Sequence, residues 1–274
     1  MQRSLLRRRG ITLIELLIAS TIMTLLVGTL GVMASAVFRS NEYCHSYGLA
    51  AQHARVALDR ISRTVNDAVG NESHPGVIVL EETVASFTFP ETLVVWNPTG
   101  EPVNRDAGPR VNELVIFAPN PSAPNELLEI TDPTNTSTLP AYADTAAWKT
   151  AIDALRSSNT AKRVLLTDLL RVSRVSQAAA SNSAARRGCV RFVMRVRPSL
   201  SDWATYSAAA DESAAWAALP WAQSIHGTKT GTRQTWLRFE LQLMPGTVAA
   251  NPADSLTAAP FFGSAALYYQ LRRR

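Results

Sequence analysis

From Leu16 to Phe38 the chain runs 23 residues without a charged side chain, and Ile11–Phe38 holds a single ionisable group, Glu15. A helix needs about 20 apolar residues to cross a bilayer, so this run fits a membrane helix with some tilt. It is too long for the apolar part of a secretory signal peptide, although Ala34-Ser35-Ala36 has the look of a cleavage site. Arg3, Arg7, Arg8 and Arg9 precede the run. The positive-inside rule then keeps residues 1–10 in the cytoplasm and sends the remainder outward. A carboxylate in the apolar part of such a helix costs about 2.5–3.5 kcal/mol on insertion scales, so Glu15 needs a function and a partner. A plain signal anchor supplies neither.

The string Arg9-Gly10-Ile11-Thr12-Leu13-Ile14-Glu15-Leu16, with its basic leader and the following Leu-Leu-Ile-Ala-Ser, resembles the type IV prepilin signal. That resemblance implies cleavage by prepilin peptidase between Gly10 and Ile11, methylation of the new amine on Ile11, and assembly and processing roles for Thr12 and Glu15. Ile11 stands where the family more often has phenylalanine. The resemblance also implies that the Glu15 carboxylate meets the amine of a neighbouring subunit. Pairing lowers the cost of a buried charge, which favours docking of a cleaved subunit. Within one helix, amine and carboxylate four residues apart are also close enough to pair locally. Gly28 and Gly31 fit either ordinary membrane-helix composition or close helix packing in a filament core.

Charge narrows the function classes. The sequence holds 27 basic and 22 acidic residues, for a pI near 9.6. Without residues 1–10 the balance is 23 against 22, and Arg272, Arg273 and Arg274 carry three more of those positive charges. The basic pI thus belongs to the two ends, and no nucleic-acid partner is expected.

All fifteen prolines lie in residues 75–260. Before them, Tyr43, Tyr47, Ala51, Ala54, Leu58, Ile61, Val65 and Ala68 recur at helical spacing, with Arg55, Asp59, Arg60, Arg63 and Asp67 between them. Residues 11–69 therefore read as one long helix, or two with a weak point near Gly48, closed by Gly70-Asn71. Residues 11–38 form its transmembrane or filament-core part and residues 39–70 an amphipathic stem. The stretch Ala54–Thr64 also resembles the stem of J-type minor pseudopilins and related minor pilins.

Residues 75–274 read as an extracytoplasmic β domain. Strands are expected at Val77–Leu80, Val84–Phe89, Leu93–Trp96, Glu113–Ala118, Glu126–Ile130, Cys189–Val196 and Trp236–Leu243. Val164–Val172 is mixed. Tyr142–Leu155 is helix-prone, with Trp148, Ile152 and Leu155 on one side. Residues 199–233 form an Ala/Trp-rich insertion. Its Trp203, Trp216 and Trp221 make either a satellite core or a binding surface. Pro260–Leu271 is apolar and either packs on the domain or trails as a tail.

Catalytic motifs are missing from the sequence, and no enzyme activity is expected. Of the histidines His45, His53, His74 and His226, the first two read as exposed stem residues; a metal site would need ligands converging from other segments, and neither a metal nor a cofactor is expected. Glu81-Glu82 and Asp211-Glu212 read as solvated turn charges. Cys44 and Cys189 would meet an oxidising compartment, where a bond between them could tie stem to sheet.

The expected fold class is α+β and pilin-like, a long N-terminal helix packed on an antiparallel β-sheet. The resemblance implies a structural minor subunit of a pilin-like filament in the inner membrane. A minor pseudopilin of type II secretion comes first and a type IV pilus minor pilin second. A membrane-anchored binding module is the reading from a different class. The partners implied are prepilin peptidase, other pilin or pseudopilin subunits, the inner-membrane assembly platform and the membrane.

Overall fold

The computed structural model describes residues 11–84, 86–103, 107–175, 186–221, 231–245 and 258–271. The chain divides into two units, Met1–Gly48 and Leu49–Arg274. Helix α1, Leu13–Asn66, is unbroken for 54 residues and contributes to both. Gly48 does not interrupt it, so the expected weak point does not occur. The helix begins two residues later than expected and ends three earlier.

In the first unit every described residue except Ser46 is exposed. Several of its hydroxyls are bonded within the helix. Ser20 and Thr21 both donate to the Leu17 carbonyl, Thr24 to that of Ser20 and Thr29 to that of Leu26. Such back-bonding lets polar side chains sit in an apolar surrounding.

The second unit contains strands β1 (Val77–Val84), β2 (Phe87–Trp96), β3 (Leu114–Pro119), β4 (Leu127–Thr131) and β5 (Lys162–Thr167). These five make an antiparallel sheet in sequence order. Helix α2, Thr145–Ser157, lies between β4 and β5 in the chain. Asp144 caps it by accepting from the Ala147 N–H. Strand β6 (Val172–Arg174) pairs antiparallel with β7 (Arg186–Gly188). Next come β8 (Val190–Arg197), α3 (Leu200–Ser207), α4 (Glu212–Ala218), β9 (Thr232–Leu243) and β10 (Ala259–Gln270). Strands β8, β9 and β10 form a second antiparallel sheet with β9 in the middle.

The stem part of α1 buries Ala50, Ala54, Ala57, Ile61, Thr64 and Val65. Three alanines on one face allow close approach to both sheets. Around them lie Val77, Leu93, Val95, Phe117 and Leu127 of the first sheet, and Phe192, Leu237, Phe239, Leu241 and Leu267 of the second. The expected stripe was rotated by about one residue. Ala54, Ile61, Val65 and Ala68 are buried as read, whereas Ala50, Ala57 and Thr64 replace Ala51 and Leu58 at the centre. Tyr43 and Tyr47 remain exposed.

The opposite face of the first sheet is covered too. Ile78, Val94, Ile116 and Ile130 pack with Trp148, Ile152 and Leu155 of α2. With helices on both sides, Leu93-Val94-Val95-Trp96 is buried throughout.

The expected strand Val84–Phe89 spans the β1–β2 hairpin instead: Val84 ends β1, Phe87–Phe89 open β2, and Ser86 between them adopts φ 89°. Of the two readings of Pro260–Leu271, packing on the domain holds and the tail does not, and the packing takes the form of a strand. All twelve residues of β10 pair with β9, from Ala259↔Leu243 to Gln270↔Thr232.

The helix exit is secured by a tight loop. Asn71 Oδ1 accepts from the Ser73 and His74 N–H groups. Thr235 Oγ1 donates to the Pro75 carbonyl and Arg233 Nη1 to that of Glu72. Both of those β9 side chains are fully buried. His74 is buried among Trp96, Tyr142 and Trp148. Its Nδ1 accepts from the Gly76 N–H. Burial pushes the imidazole down from 6.5 to about 3. The unfolded chain therefore binds more protons between those values, and stability falls as pH drops through that window. The slope contributed is at most about 1.4 kcal/mol per pH unit. In denaturant titrations of the detergent-solubilised chain, His74→Phe is expected to remove about 2 kcal/mol of the stability lost between about pH 7 and about pH 5. An unaltered pH response would assign that loss to other groups.

Candidate functional site

Residues 1–10, including Gly10, lie outside the described residues. Ile11 and Thr12 precede the helix, and α1 starts at Leu13. At that start, Thr12 and Glu15 bond reciprocally. The Thr12 N–H donates to Glu15 Oε2 at 2.9 Å and the Thr12 hydroxyl donates to the same oxygen at 3.0 Å. In return the Glu15 N–H donates to Thr12 Oγ1 at 3.3 Å. This is a capping box, with Thr12 as the cap and Glu15 three residues on. It satisfies donors that a helix start would otherwise leave open in a medium poor in water.

The sequence places Thr12 and Glu15 in the processing segment, but their capping role was not read from it. The signal was there, since a Thr-x-x-Glu string directly before an apolar run is the pattern of a capping box. The capped start also changes the expected local pairing. Ile11 precedes the first helical turn, so the four-residue helical spacing does not apply between its amine position and Glu15. Among the described residues both bonds end on Oε2, and Oε1 is open to a second donor.

Other sequence-predicted positions resolve into structure. Cys44 and Cys189 are both free thiols. In β8 the core face is set by Val190 and Phe192. Cys189 lies one residue before Val190, on the face shared with Arg171 and Glu240. Strand alternation thus turns it away from the stem packed on the other face. Burial pushes its thiol up, opposed by Arg171.

His53 is half-buried rather than exposed, with Nδ1 at 3.2 Å from Thr167 Oγ1. His226 lies outside the described residues, as does the stretch 222–230 of the Trp-rich insertion. Trp203 and Trp221 are buried with Tyr206, Leu219 and Leu271, and Trp216 packs against them. Trp216 and Trp221 have ring centroids 4.5 Å apart. These residues form a satellite core, not an open aromatic face. The acidic pairs are tied as well. Glu82 pairs with Lys149, Asp211 caps α4, and Glu212 accepts from the Tyr206 hydroxyl.

One charged cleft of about 390 Å³ is lined by Glu82, Glu91, Asp153, Arg156 and Arg187. Arg187 Nη1 donates to Glu91 Oε1 at 3.0 Å, and Arg156 Nη2 to the Pro119 carbonyl at 2.8 Å. Burial raises the Glu91 carboxyl, while Arg187 and Arg156 lower it. Its charges are largely matched to one another, and no group of three or more potential metal ligands is found among the described residues.

Residues 5–31 match the family described as the prokaryotic N-terminal methylation motif. No curated protein matches the chain. No solved structure matches it either. The matched stretch covers the Thr12–Glu15 cap and the first half of the exposed apolar helix, and behind it stands a helix packed on antiparallel sheets. The chain therefore carries the prepilin-type N-terminal methylation motif of type IV pilin-like proteins, on a pilin-like α+β architecture.

Proposed function

We propose that the chain is a structural minor subunit of a pilin-like filament that acts in type II protein secretion. The observation that carries this reading is the methylation motif at the head of an apolar helix whose start is closed by Thr12 and Glu15. Prepilin peptidase cuts after Gly10 on the cytoplasmic side, and Ile11 becomes the methylated amino terminus. Until assembly the helix is held in the inner membrane, with the β domain on the extracytoplasmic side. The large domain, with its separate Trp-rich core, supports a minor rather than a major component. A minor pilin of a type IV pilus has the same chemistry at its amino terminus and is told apart by which filament partners co-purify.

Cleavage adds an ammonium group at Ile11, next to the cap. Glu15 then has two uses, closing its own helix and receiving the amine of a neighbouring subunit through its free oxygen. A charge-assisted bond of that kind in a dry filament core is stronger than the bond to Thr12.

The test is the intact mass and N-terminal sequence of the membrane-extracted chain, with and without prepilin peptidase. A methylated chain beginning at Ile11 only when the enzyme is present is the expected result. A chain still beginning at Met1 in both cases would overturn the reading. Glu15→Leu is expected to be lost from filaments, and normal filament incorporation would remove the assembly role of Glu15.

A further inference from the structure

Alternate residues of β8, β9 and β10 face opposite ways. Phe192, Leu237, Phe239, Leu241 and Leu267 point into the main core. The residues between them make the outer face of the second sheet, and none of those is buried. The first sheet differs, because α2 packs on its outer face.

This bare face is one-sided in charge. Arg191, Arg195, Arg197 and Arg238 all lie on it and are exposed. None of the four forms an ion pair among the described residues. Glu240 is the one carboxylate on the face, and its Oε1 accepts from Gln242 Nε2. Beyond residue 10 the chain holds nearly equal numbers of basic and acidic residues. Strand register, not composition, therefore gathers these arginines.

The register also sets their spacing. Val193 pairs with Arg238, and Arg195 with Trp236. Arg238 thus occupies the row between Arg191 and Arg195, and Arg197 the row after. Successive rows are two residues, about 7 Å, apart, so the four positions form a line of roughly 20 Å. Beside it stand Trp236 and, on β10, Phe262 and Tyr268, the last two 62% and 54% exposed. Arginine with exposed aromatics is the composition of a protein contact surface.

Four cations at this interval repel one another and favour a partner that brings anions at the same interval. An extended chain with Asp or Glu at every second position does so, because its own side-chain repeat is two residues. The planar guanidinium matches a carboxylate. A nucleic-acid backbone fits less well, since it gains from a broad net positive charge, and here the domain is close to neutral and Glu240 lies within the face. We propose that the outer face of β8, β9 and β10 is a docking surface for an extended acidic segment of a partner protein, with carboxylates at alternate positions and apolar groups set against the rings. This surface is independent of the processing at Ile11.

The probe is a fluorescein-labelled peptide of alternating Glu and Thr, titrated with the full chain in neutral detergent and followed by anisotropy. Binding is expected, weaker in high salt. A peptide of alternating Gln and Thr is expected not to bind, and one with its Glu and Thr in two separate blocks to bind more weakly. Arg191→Gln, Arg195→Gln and Arg197→Gln together are expected to weaken binding about ten-fold, the sum of three exposed ion pairs, without changing the Tm. Glu at the same three positions is expected to exchange the Glu-Thr peptide for a Lys-Thr peptide, which also shows that the face is intact. A parent chain that ignores the Glu-Thr peptide would overturn the proposal. Equal binding by the Gln variant would too, and would move the contact to the arginine-rich ends of the chain. Equal binding of the blocked peptide would overturn the extended register. A labelled oligothymidylate that binds more tightly than the peptide, and is lost in the Gln variant, would overturn the acidic-protein assignment in favour of a nucleic acid.

Discussion

Glu113→Ala is expected to destabilise the unit Leu49–Arg274 by about 3–5 kcal/mol, the range for removing one partner of a buried charged network. The reason lies in what this carboxylate closes. The chain leaves the first sheet at Trp96 and re-enters it at Leu114. Glu113 is buried at the return point. Its Oε1 accepts from the Val103 N–H at 2.8 Å. Its Oε2 accepts from Trp96 Nε1 at 3.1 Å and from the Arg110 N–H at 2.9 Å. Alanine leaves all three donors without this acceptor, and each bond to a charged group contributes about 1.5–3 kcal/mol. Glu113→Gln recovers part of the loss, because its one carbonyl oxygen serves at most two of the donors and its amide faces the third. Thermal unfolding of the full chain in detergent, followed by tryptophan fluorescence, should show the alanine variant melting roughly 10 °C lower. A shift of only a degree or two would mean that the loop is held by other contacts.

Gly263→Val is expected to be as damaging, for a steric reason. Gly263 sits opposite Phe239 in the pairing of β10 with β9. A Cβ at Gly263 would lie 2.2 Å from Phe239 Cε2 and 2.6 Å from its Cζ. The ring has little room to yield, because Phe239 is buried in the main core and faces Phe192 across β8. Overpacking by one methyl typically costs about 1–3 kcal/mol, and valine adds more. Gly263→Ala combined with Phe239→Leu should recover much of the loss, since leucine vacates the space over the new methyl. Urea unfolding of the two single variants and the double variant gives the coupling directly. Additive effects would show that the ring is not what excludes a side chain at this site.

Much of the architecture was legible because periodicity reports burial when one face of an element is wet. The apolar run, the stem helix and β9 between Leu237 and Leu243 all followed from that rule. The α2 face of Trp148, Ile152 and Leu155 did as well. The methylation motif was legible for another reason. It is one continuous stretch, residues 5–31, and needs no segment from elsewhere in the chain to be read.

Where the reading failed, a distant segment decided the outcome. Strand β10 has Gly263, Ser264, Ala265 and Ala266 at its centre, which gives no alternation to read. It becomes a strand because β9 offers a free edge and Phe239 fills the space above Gly263. Arg233 and Thr235 face inward on β9 because carbonyls of Glu72, Pro75 and Pro198 need donors there. Glu113 looked like the first residue of a strand, yet it is the acceptor that closes a loop.

The sequence by itself determined the long apolar helix, the methylation motif at its start and the α+β class, because these rest on contiguous residues and on solvent contrast. Only the tertiary structure decided the edge pairing of β10, the buried carboxylate of Glu113 and the inward Arg233. Each of those depends on a hydrogen-bond partner or a packing space supplied from elsewhere in the chain, and no local pattern encodes the arrival of that partner.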